Sequence, residues 1–364
     1  MKNLLILFSL LIAGSTLNSS AQKNSSGLSH EEIITMNTAI KADTNLSKLI
    51  GWFGDPVDLY KEYKINLWRA DSIWKHDQQT IKKLNDLGTT SHFEMIPLID
   101  WVVNNDSLKG EAGVSYLIRT DEATILFDIG ANAMNEDPSP LERNMAMLGI
   151  MPDDIDMIVI SHNHGDHVGG NNWDAKNTFS ISSSQSPLKK MPVYTPVEMT
   201  YPGLNPVCTP LPAKIARGVA TIGVIHTPVF FTDIGEQALA VNVKDKGIVI
   251  ISGCGHQSIE KILLRTDLLF DEPLYGVLGG FHYPMEEGRN ITWLYKYLVV
   301  GKLPWERLTA DDIKYNCELL KTRKVKLVGL SAHDSSDGSI KIFRQEFPDA
   351  FVNIRVGESI SPGN

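Results

Sequence analysis

The chain has 364 residues, of which 43% are hydrophobic, a composition typical of a globular protein with ample material for a core. Its formal net charge of -9 disfavours a nucleic acid or an anionic membrane surface as the main partner. At most two of its three cysteines can pair with each other, so a disulfide framework is not in evidence.

Residues 1–21 have the pattern of a secretory signal peptide. Lys2 provides a basic start, an apolar stretch runs from Leu4 to Gly14, and the small residues Ser19 and Ala21 precede the expected cleavage site. The apolar stretch has about half of the roughly 20 residues that a membrane-spanning helix needs. We therefore expect an exported protein, periplasmic or secreted, without a stable membrane anchor.

Residues 22–90 are predicted to form a helical extension. Apolar side chains recur at roughly helical intervals, most clearly from Asn66 to Leu87. Aromatic side chains in this region are expected to pack the extension onto the main body rather than form a separate site; they are Trp52, Phe53, Tyr60 and Tyr63. Whether the extension covers a pocket or forms a dimer stays open, and so does the oligomeric state.

Residues 91–358 are predicted to form one α/β domain, because strands and helices alternate there in a mixed order. Strands are expected at 113–118, 124–129, 155–160, 192–194, 219–225, 239–243, 247–251, 274–278 and 326–330. Helices are expected at 143–148, 291–299 and 310–321. No internal repeat of fixed period is visible.

The segment at 161–170, Ser-His-Asn-His-Gly-Asp-His-Val-Gly-Gly, follows a predicted buried strand. It contains four potential metal ligands, His162, His164, Asp166 and His167. Imidazole and carboxylate groups so close together compete for the same donors unless a cation lies among them. Nitrogen and oxygen ligands suit zinc, iron or manganese. The glycines predict a tight turn whose first two histidines bind one metal ion while Asp166 and His167 reach a second, and they disfavour an accidental His-rich loop.

Three more histidines, His256, His282 and His333, each follow an apolar run. Strands deliver the residues at their ends to one edge of a sheet, where ligands from distant positions converge. We expect His256 and His333 to complete the site. His282 is a possible ligand for which a structural role is the favoured alternative, and His226 is expected to be structural because Thr227-Pro228 turns it away.

The 162–167 loop resembles the His-x-His-x-Asp-His hallmark of the metallo-β-lactamase superfamily. Segments at 111–115, 125–130, 235–239, 253–256 and 279–282 resemble the branch named after a 7,8-dihydropterin-6-methyl aminobenzene phosphate synthase. The resemblance extends from about Phe93 to Val356. It implies an αββα sandwich with a two-metal site at one edge, here preceded by a helical extension.

The resemblance also implies a ligand set. His162, His164 and His256 would bind one metal ion, and Asp166, His167 and His333 would bind the other. Asp128 would orient the ligating imidazoles, with a turn-capping role as the alternative. Cys254 stands where much of the superfamily has a bridging Asp, so the bridge is either absent or supplied by a thiolate. The residues after His333 also depart from the His-Cys-Thr-Gly run of the branch.

The expected function is an exported hydrolase of a small-molecule ester, lactone, amide or phosphodiester. Its expected cofactor is a pair of divalent metal ions, zinc before iron or manganese, that activates a water molecule oriented by the catalytic Asp166. Arg289, or Lys189 with Lys190, could bind an anionic group of the substrate. Two alternatives stay open, a di-iron oxidoreductase of the same fold and a non-catalytic metal-binding protein.

Overall fold

Two β-sheets form the centre of the computed structural model, which describes residues 27–289 and 291–363. The predicted signal peptide at 1–21 lies outside the described residues. The first sheet has six strands in chain order: β1 Phe93–Ile99, β2 Ser115–Thr120, β3 Thr124–Phe127, β4 Met157–Val159, β5 Val193–Thr195 and β6 Val207–Cys208. Strands β1 to β3 pair antiparallel, and β3 to β6 pair parallel.

The second sheet has seven strands. Its members are β7 Ala213–Ala216, β8 Val219–Thr221, β11 Leu239–Val243, β12 Gly247–Ser252, β13 Leu274–Gly279, β14 Leu327–Leu330 and β15 Phe351–Asn353, in the order β15-β14-β13-β12-β11-β8-β7. The four strands from β12 to β15 are parallel. A separate hairpin consists of β9 Ile225–Val229 and β10 Thr232–Glu236.

The two sheets pack face to face over an apolar core. Tyr116 and Phe127 of the first sheet and Val249 and Leu278 of the second belong to one buried cluster. Alternate residues such as Leu117 point the other way, because successive side chains of a strand face opposite sides. Both faces of each sheet are therefore apolar and need a cover.

Helices cover the two outer faces. Helix α4, Pro140–Met147, packs on the six-stranded sheet through Leu141 and Met145. Helices α7 Ile259–Leu269, α8 Ala310–Thr322 and α9 Asp337–Glu346 cover the seven-stranded sheet. The architecture is the predicted αββα sandwich, which confirms the expected fold class.

Three helices precede the sandwich: α1 His30–Ala42, α2 Thr44–Phe53 and α3 Pro56–Thr80. Each begins where a capping residue satisfies free backbone N–H groups, namely Ser29, Asp43 and Asp55. Aromatic side chains pack them onto the main body, with Phe53 and Phe230 at 4.9 Å between ring centroids. None of the described helices is long and apolar enough to cross a membrane. The boundary of the extension at residue 90 stays a prediction.

Three local predictions are wrong. The helix expected to reach Leu87 ends at Thr80, and the N–H of Leu84 bonds the Leu269 carbonyl at 3.0 Å because the apolar side chains of 81–87 pack on the sandwich. The helix expected at 291–299 contains only the 3-10 turn Tyr295–Tyr297. The strand expected at 219–225 is two strands, separated at Gly223, whose φ is 74°.

Candidate metal centre

The predicted ligands come from loops that follow four strands and meet at one edge of the sandwich. His162 and His164 follow β4, and Cys254 and His256 follow β12. His282 follows β13 and His333 follows β14 in the same way. Side chains far apart in the chain are thus brought together by strand ends, as the sequence predicted.

The loop after β4 differs from the predicted tight turn. Residues Gly165–Val168 form a short helix, α5, which ends at Gly169 with a left-handed φ of 88°, and a second short helix, α6, follows at Asn171–Asp174. A side chain at position 169 would meet the Ser180 carbonyl, so both the space and the backbone favour glycine. Asp166 and His167 therefore leave from one helical turn, while His162 and His164 precede it.

The first group of ligands consists of His162, His164 and His256. His162 Nε2 and His164 Nδ1 lie 3.0 Å apart. The His256 ring centroid lies 5.0 Å from that of His162 and 5.3 Å from that of His164. Both ring nitrogens of His256 are buried without a hydrogen-bond partner among the described residues. Unpartnered buried nitrogens are costly, and a bound cation would satisfy them.

The protonation states in this group suit ligation. Burial, followed by the neighbouring imidazoles, lowers the pKa of His162 and His256 well below the ordinary value. Burial likewise lowers the pKa of His164 to about 3. All three rings are therefore neutral near pH 7, the form in which an imidazole binds a metal ion.

The second group consists of Asp166, His167, His333 and Cys254, whose ligand atoms all lie within 4.8 Å of one another. Cys254 Sγ lies 3.0 Å from His167 Nε2 and 3.2 Å from His333 Nε2. Asp166 Oδ1 is buried and has no hydrogen-bond partner in the described part of the chain. This group therefore offers oxygen, nitrogen and sulfur atoms to a single cation.

Cys254 belongs to both groups, because its Sγ also lies within 4.8 Å of ligand atoms of His162 and His256. The cysteine thus occupies the position between the two ligand sets. Burial, followed by the carboxylates of Asp166, Asp334 and Glu236, raises the pKa of the Cys254 thiol well above its ordinary value. A thiolate at this position needs a metal ion beside it.

Asp128 lies under the ligand loop rather than capping its own turn. Its carboxylate accepts hydrogen bonds from Ser161 N at 2.6 Å and Ser161 Oγ at 2.7 Å, and its Oδ2 lies 2.7 Å from His167 Nδ1. Ser161 Oγ is also 2.9 Å from His162 Nδ1. Burial lowers the pKa of His167, but Asp166 and Asp128 outweigh it and raise the pKa to about 9. Asp128 is therefore placed to orient ligands of both groups.

Gly253 allows the two ligand loops to approach each other. A β-carbon at this position would meet Ser161 Oγ, and it would lie 2.9 Å from Asp128 Oδ2. The loop after β12 therefore needs glycine immediately before Cys254 in order to lie against the loop after β4.

Sequence reasoning missed Asp100, which supports His333. Asp100 Oδ2 accepts a hydrogen bond of 2.6 Å from Ser331 Oγ, which in turn lies 2.6 Å from His333 Nδ1. Asp100 also accepts from Tyr116 OH at 3.1 Å and from Trp101 N at 2.7 Å. Its signal in the sequence is a carboxylate directly after an apolar strand, the same signal that identified Asp128.

The role of Glu236 was also missed. Its carboxylate accepts backbone hydrogen bonds from Cys254 and Gly255 at 3.0 Å each and from His256 at 2.7 Å. The side chain is fully buried, and burial raises its pKa to about 7. Glu236 therefore holds the backbone that carries Cys254 and His256. The sequence does not show this role, because the three donors lie 18 to 20 residues away along the chain.

His282 lies beside the centre but is tied to the protein backbone. Its Nε2 bonds the Leu298 carbonyl at 2.6 Å, and its ring centroid is 4.6 Å from that of His256. Its buried Nδ1 has no partner among the described residues, and it lies in a group with Cys254 and Asp334. The bond to Leu298 agrees with the structural role, while Nδ1 stays available as a ligand atom.

Other candidates lie in structural contacts. His226 Nδ1 bonds Asp233 Oδ2 at 2.8 Å. Arg289 pairs with Asp337 at 2.6 Å and donates to the carbonyls of Ala332 and Ser335. Lys189 donates to the Asp153 carbonyl. Arg289 and Lys189 therefore hold loops in this structure, and binding of an anionic substrate group by either of them stays a prediction.

The donor set fits divalent metal ions. Imidazoles, a carboxylate and a thiol converge here, and His, Asp and Cys are the side chains that bind zinc and iron. The ring nitrogens of His256 and Asp166 Oδ1 are buried without hydrogen-bond partners among the described residues, so a bound cation would satisfy them. His167, Cys254 and His333 are all buried, so the ions would be shielded from bulk water except from the cavity side.

Comparison with known proteins agrees with this geometry. A 7,8-dihydropterin-6-methyl-4-(β-D-ribofuranosyl)-aminobenzene-5'-phosphate synthase from Methanocaldococcus jannaschii is 25% identical over 244 residues, which are 55% of this chain and 80% of that protein. The crystal structure of Tm1679, a metal-dependent hydrolase of the beta-lactamase superfamily, matches with a TM-score of 0.52 and 19% identity, over 75% of this chain and all of the other.

One further solved structure is more distant. The metallo-beta-lactamase fold protein YhfI from Bacillus subtilis has a TM-score of 0.46 and 13% identity, over 74% of this chain and all of that one. The model of the metallo-beta-lactamase superfamily matches residues 108–294, about half of the chain, which include the ligand loops after β4, β12 and β13. The chain therefore belongs to the metallo-beta-lactamase superfamily.

Proposed function

We propose that this protein is an exported hydrolase that uses a pair of divalent metal ions, zinc before iron or manganese, to cleave a small-molecule substrate. The observation that carries the proposal is the convergence of two ligand groups, His162, His164 and His256 on one side and Asp166, His167 and His333 on the other, around Cys254. One structural zinc ion needs only four ligands. The larger set favours a reactive two-metal site over a structural one.

When bound, such ions act as Lewis acids and lower the pKa of a water molecule towards neutrality. Cys254 belongs to both ligand groups, so its Sγ would help to hold an ion in either of them. The carboxylate of Asp128 contacts the imidazole of His167 directly and also accepts a hydrogen bond from Ser161 Oγ. These contacts hold the imidazole in one orientation. These contacts reduce the reorganisation that the site would otherwise need during the reaction.

Asp166 is the residue that we assign to proton transfer. Its side chain is partly exposed, at 16%, and it lines the cavity that opens over the centre. Burial raises the pKa of its carboxyl group above the ordinary value, which makes it a better proton acceptor near neutral pH. One oxygen can bind a cation while the other orients a water molecule.

Tyr295 is placed to orient the substrate. It lines the same cavity as Asp166 and Cys254. Burial, followed by the charges of Asp166, Cys254 and Asp334, raises the pKa of its phenol, so the hydroxyl stays protonated and can donate to a substrate oxygen. The Tyr295→Phe variant should lower kcat/KM while leaving metal content unchanged.

The test is the activity and metal content of the mature protein and of two variants, Asp166→Ala and His167→Ala. We expect each variant to lose turnover of esters, lactones, β-lactams or phosphodiesters by roughly a hundredfold or more while keeping its circular dichroism spectrum. His226→Ala is the matched control, because that histidine bonds Asp233 away from the ligand groups. Unchanged turnover in either ligand variant would refute the mechanism.

Elemental analysis of the same samples separates the alternatives. Zinc with hydrolysis supports the proposal, whereas iron with reduction of dioxygen or nitric oxide and no hydrolysis would show an oxidoreductase. Metal binding without any turnover would show a non-catalytic protein. Export is tested by N-terminal sequencing, which should find the mature chain beginning near Gln22.

A further inference from the structure

The cavity over the metal centre has two unlike sides. Its floor carries His164, Cys254, His256 and His333. The opposite side is apolar and consists of Val229 and Ile234 from the β9–β10 hairpin and Leu298 from the following loop. The hydroxyls of Thr232 and Tyr295 add polar side-chain atoms to this apolar wall.

The charges around the cavity are acidic. Asp166 and Asp334 line it, and no lysine or arginine lines it among residues 27–289 and 291–363. Lys261 is directed away, because its Nζ donates to the His226 carbonyl at 3.1 Å. An anionic group of a substrate would therefore find no cationic side chain outside the metal centre, whereas an apolar group would be favoured by the wall.

The helical extension holds the apolar wall in place. Asn66 of α3 donates from Nδ2 to the Phe231 carbonyl at 2.8 Å, at the turn between β9 and β10. Tyr63 of the same helix donates to the Gly301 carbonyl at 2.8 Å. Both contacts join the helix to the hairpin and to the loop that form the wall, and neither involves a candidate metal ligand.

The hairpin and the loop are also tied to each other. The N–H of Gly301 donates to the Pro228 carbonyl at 2.8 Å, and Val229 pairs with Val300 in an antiparallel bridge. Phe230 and Phe231 are buried in one cluster with Leu294 and Tyr297 and with residues of α1 to α3. The wall and the extension thus form one packed unit.

We propose that the site takes an uncharged substrate whose apolar group lies against Val229, Ile234 and Leu298, and that helix α3 positions this wall. The inference rests on the proposed hydrolase function and names its substrate class. Neutral esters, lactones or amides with an alkyl or aryl group fit this class. Anionic phosphodiesters do not.

The first measurement compares p-nitrophenyl acetate with p-nitrophenyl octanoate, and both with bis(p-nitrophenyl) phosphate, on the metal-loaded protein. We expect kcat/KM to rise roughly tenfold or more from acetate to octanoate, because the longer chain buries methylene groups on the wall. The phosphodiester should be the poorest of the three. A flat acyl series, or preference for the phosphodiester, would overturn the inference and leave the hydrolase function standing.

Two variants test the wall and its support. Ile234→Asp should bring the ratio of kcat/KM for octanoate to kcat/KM for acetate close to one. Val207→Asp, at a position 50% exposed on β6, is the control and should leave this ratio unchanged. Asn66→Ala should lower the ratio with unchanged metal content, and Ile65→Ala, at a position 42% exposed on the same helix, is its control. Equal ratios in Asn66→Ala and the folded parent would refute the role of the helix.

A binding measurement separates failure of the inference from failure of the hydrolase function. Isothermal titration calorimetry with octanamide and acetamide needs no turnover. Octanamide should bind at least roughly tenfold tighter, and Ile234→Asp should remove the difference. If no ester is hydrolysed but this difference is found, the apolar wall stands and the hydrolase function fails. Equal binding of the two amides would overturn the wall itself.

Discussion

Two hydrogen-bonded chains hold the metal centre, and they are built from the same three residue types. Both begin at a carboxylate that follows a strand of the six-stranded sheet, but one ends in the loop after β4 and the other in the loop after β14 of the seven-stranded sheet. In the first chain Asp128 reaches His162 through Ser161 and His167 directly. In the second chain Asp100 reaches His333 through Ser331, with both steps 2.6 Å long. In each case a buried carboxylate after a strand orients an imidazole through a serine.

The difference lies in what else each carboxylate does. Among the described residues, the carboxylate of Asp128 contacts the loop after β4, through the backbone and side chain of Ser161 and through His167. Asp100 also bonds Tyr116 and the backbone of Trp101 and Ala332, so it ties β1 to the loop after β14. We infer that Asp128 acts mainly on the metal centre, whereas Asp100 divides its effect between the centre and the fold.

The largest expected effect is that of Asp128→Ala. Removing this carboxylate leaves the hydroxyl and N–H of Ser161 and the Nδ1 of His167 buried without their partner, which should cost about 3 to 5 kcal/mol in the free energy of unfolding. Metal affinity should fall roughly a hundredfold. Urea unfolding of the metal-free protein and competition with a chelator measure the two effects. Asp128→Asn, which keeps the volume, should lose affinity with a smaller loss of stability; unchanged affinity in both variants would contradict the assigned role.

The second prediction concerns Asp100 and pH. Burial, only partly offset by the hydrogen bonds from Ser331, Trp101 and Tyr116, raises the pKa of Asp100 from 3.8 to about 6. A raised pKa in the folded state means that the contribution to stability is present below pH 3.8 and is lost as the pH rises through 6. The free energy of unfolding should therefore fall by about 3 kcal/mol from this group between those values.

Asp100→Asn removes this titration. Denaturant unfolding of metal-free parent and variant from pH 3 to about 8 gives a difference curve that should change by about 3 kcal/mol and level off above about pH 7. A difference that is constant over this range would show that Asp100 does not titrate as the structure indicates. The metal affinity of Asp100→Asn should fall less than that of the Asp128 variants, because Asp100 supports one candidate ligand, His333, whereas Asp128 supports two.

The smallest effects on metal affinity are expected from replacing the two serines. These two variants compare the hydrogen-bonded chains most directly, because each removes the serine of one chain. Ser331→Ala removes the hydroxyl that connects Asp100 to His333 Nδ1 and should weaken binding of one metal ion by roughly tenfold. Ser161→Ala should weaken it less, because Asp128 still contacts His167 Nδ1 directly at 2.7 Å. Chelator competition with both variants measures the difference. The reverse order would show that the direct contact is the weaker connection.

The sequence predicted those parts of the centre whose signal is local. The His-x-His-x-Asp-His loop puts four ligands beside a buried strand, and His256 and His333 each follow an apolar run. Asp100 carries the same local signal as Asp128, but its partner Ser331 is 231 residues away, so its role could not be recognised. The end of α3 at Thr80 was missed because tertiary packing of Ile81, Leu84 and Leu87 overrides a helical pattern.

By itself, the sequence determined the ligand types and the order of strands that carry them, since both depend on neighbouring residues and on the alternation of strands and helices. Only the tertiary structure decided that Cys254, 87 residues from His167 and 79 from His333, lies between the two ligand groups. It also decided that the N-terminal helices support an apolar wall over the centre. Such contacts depend on how separate elements pack against each other, which no local pattern of residues contains.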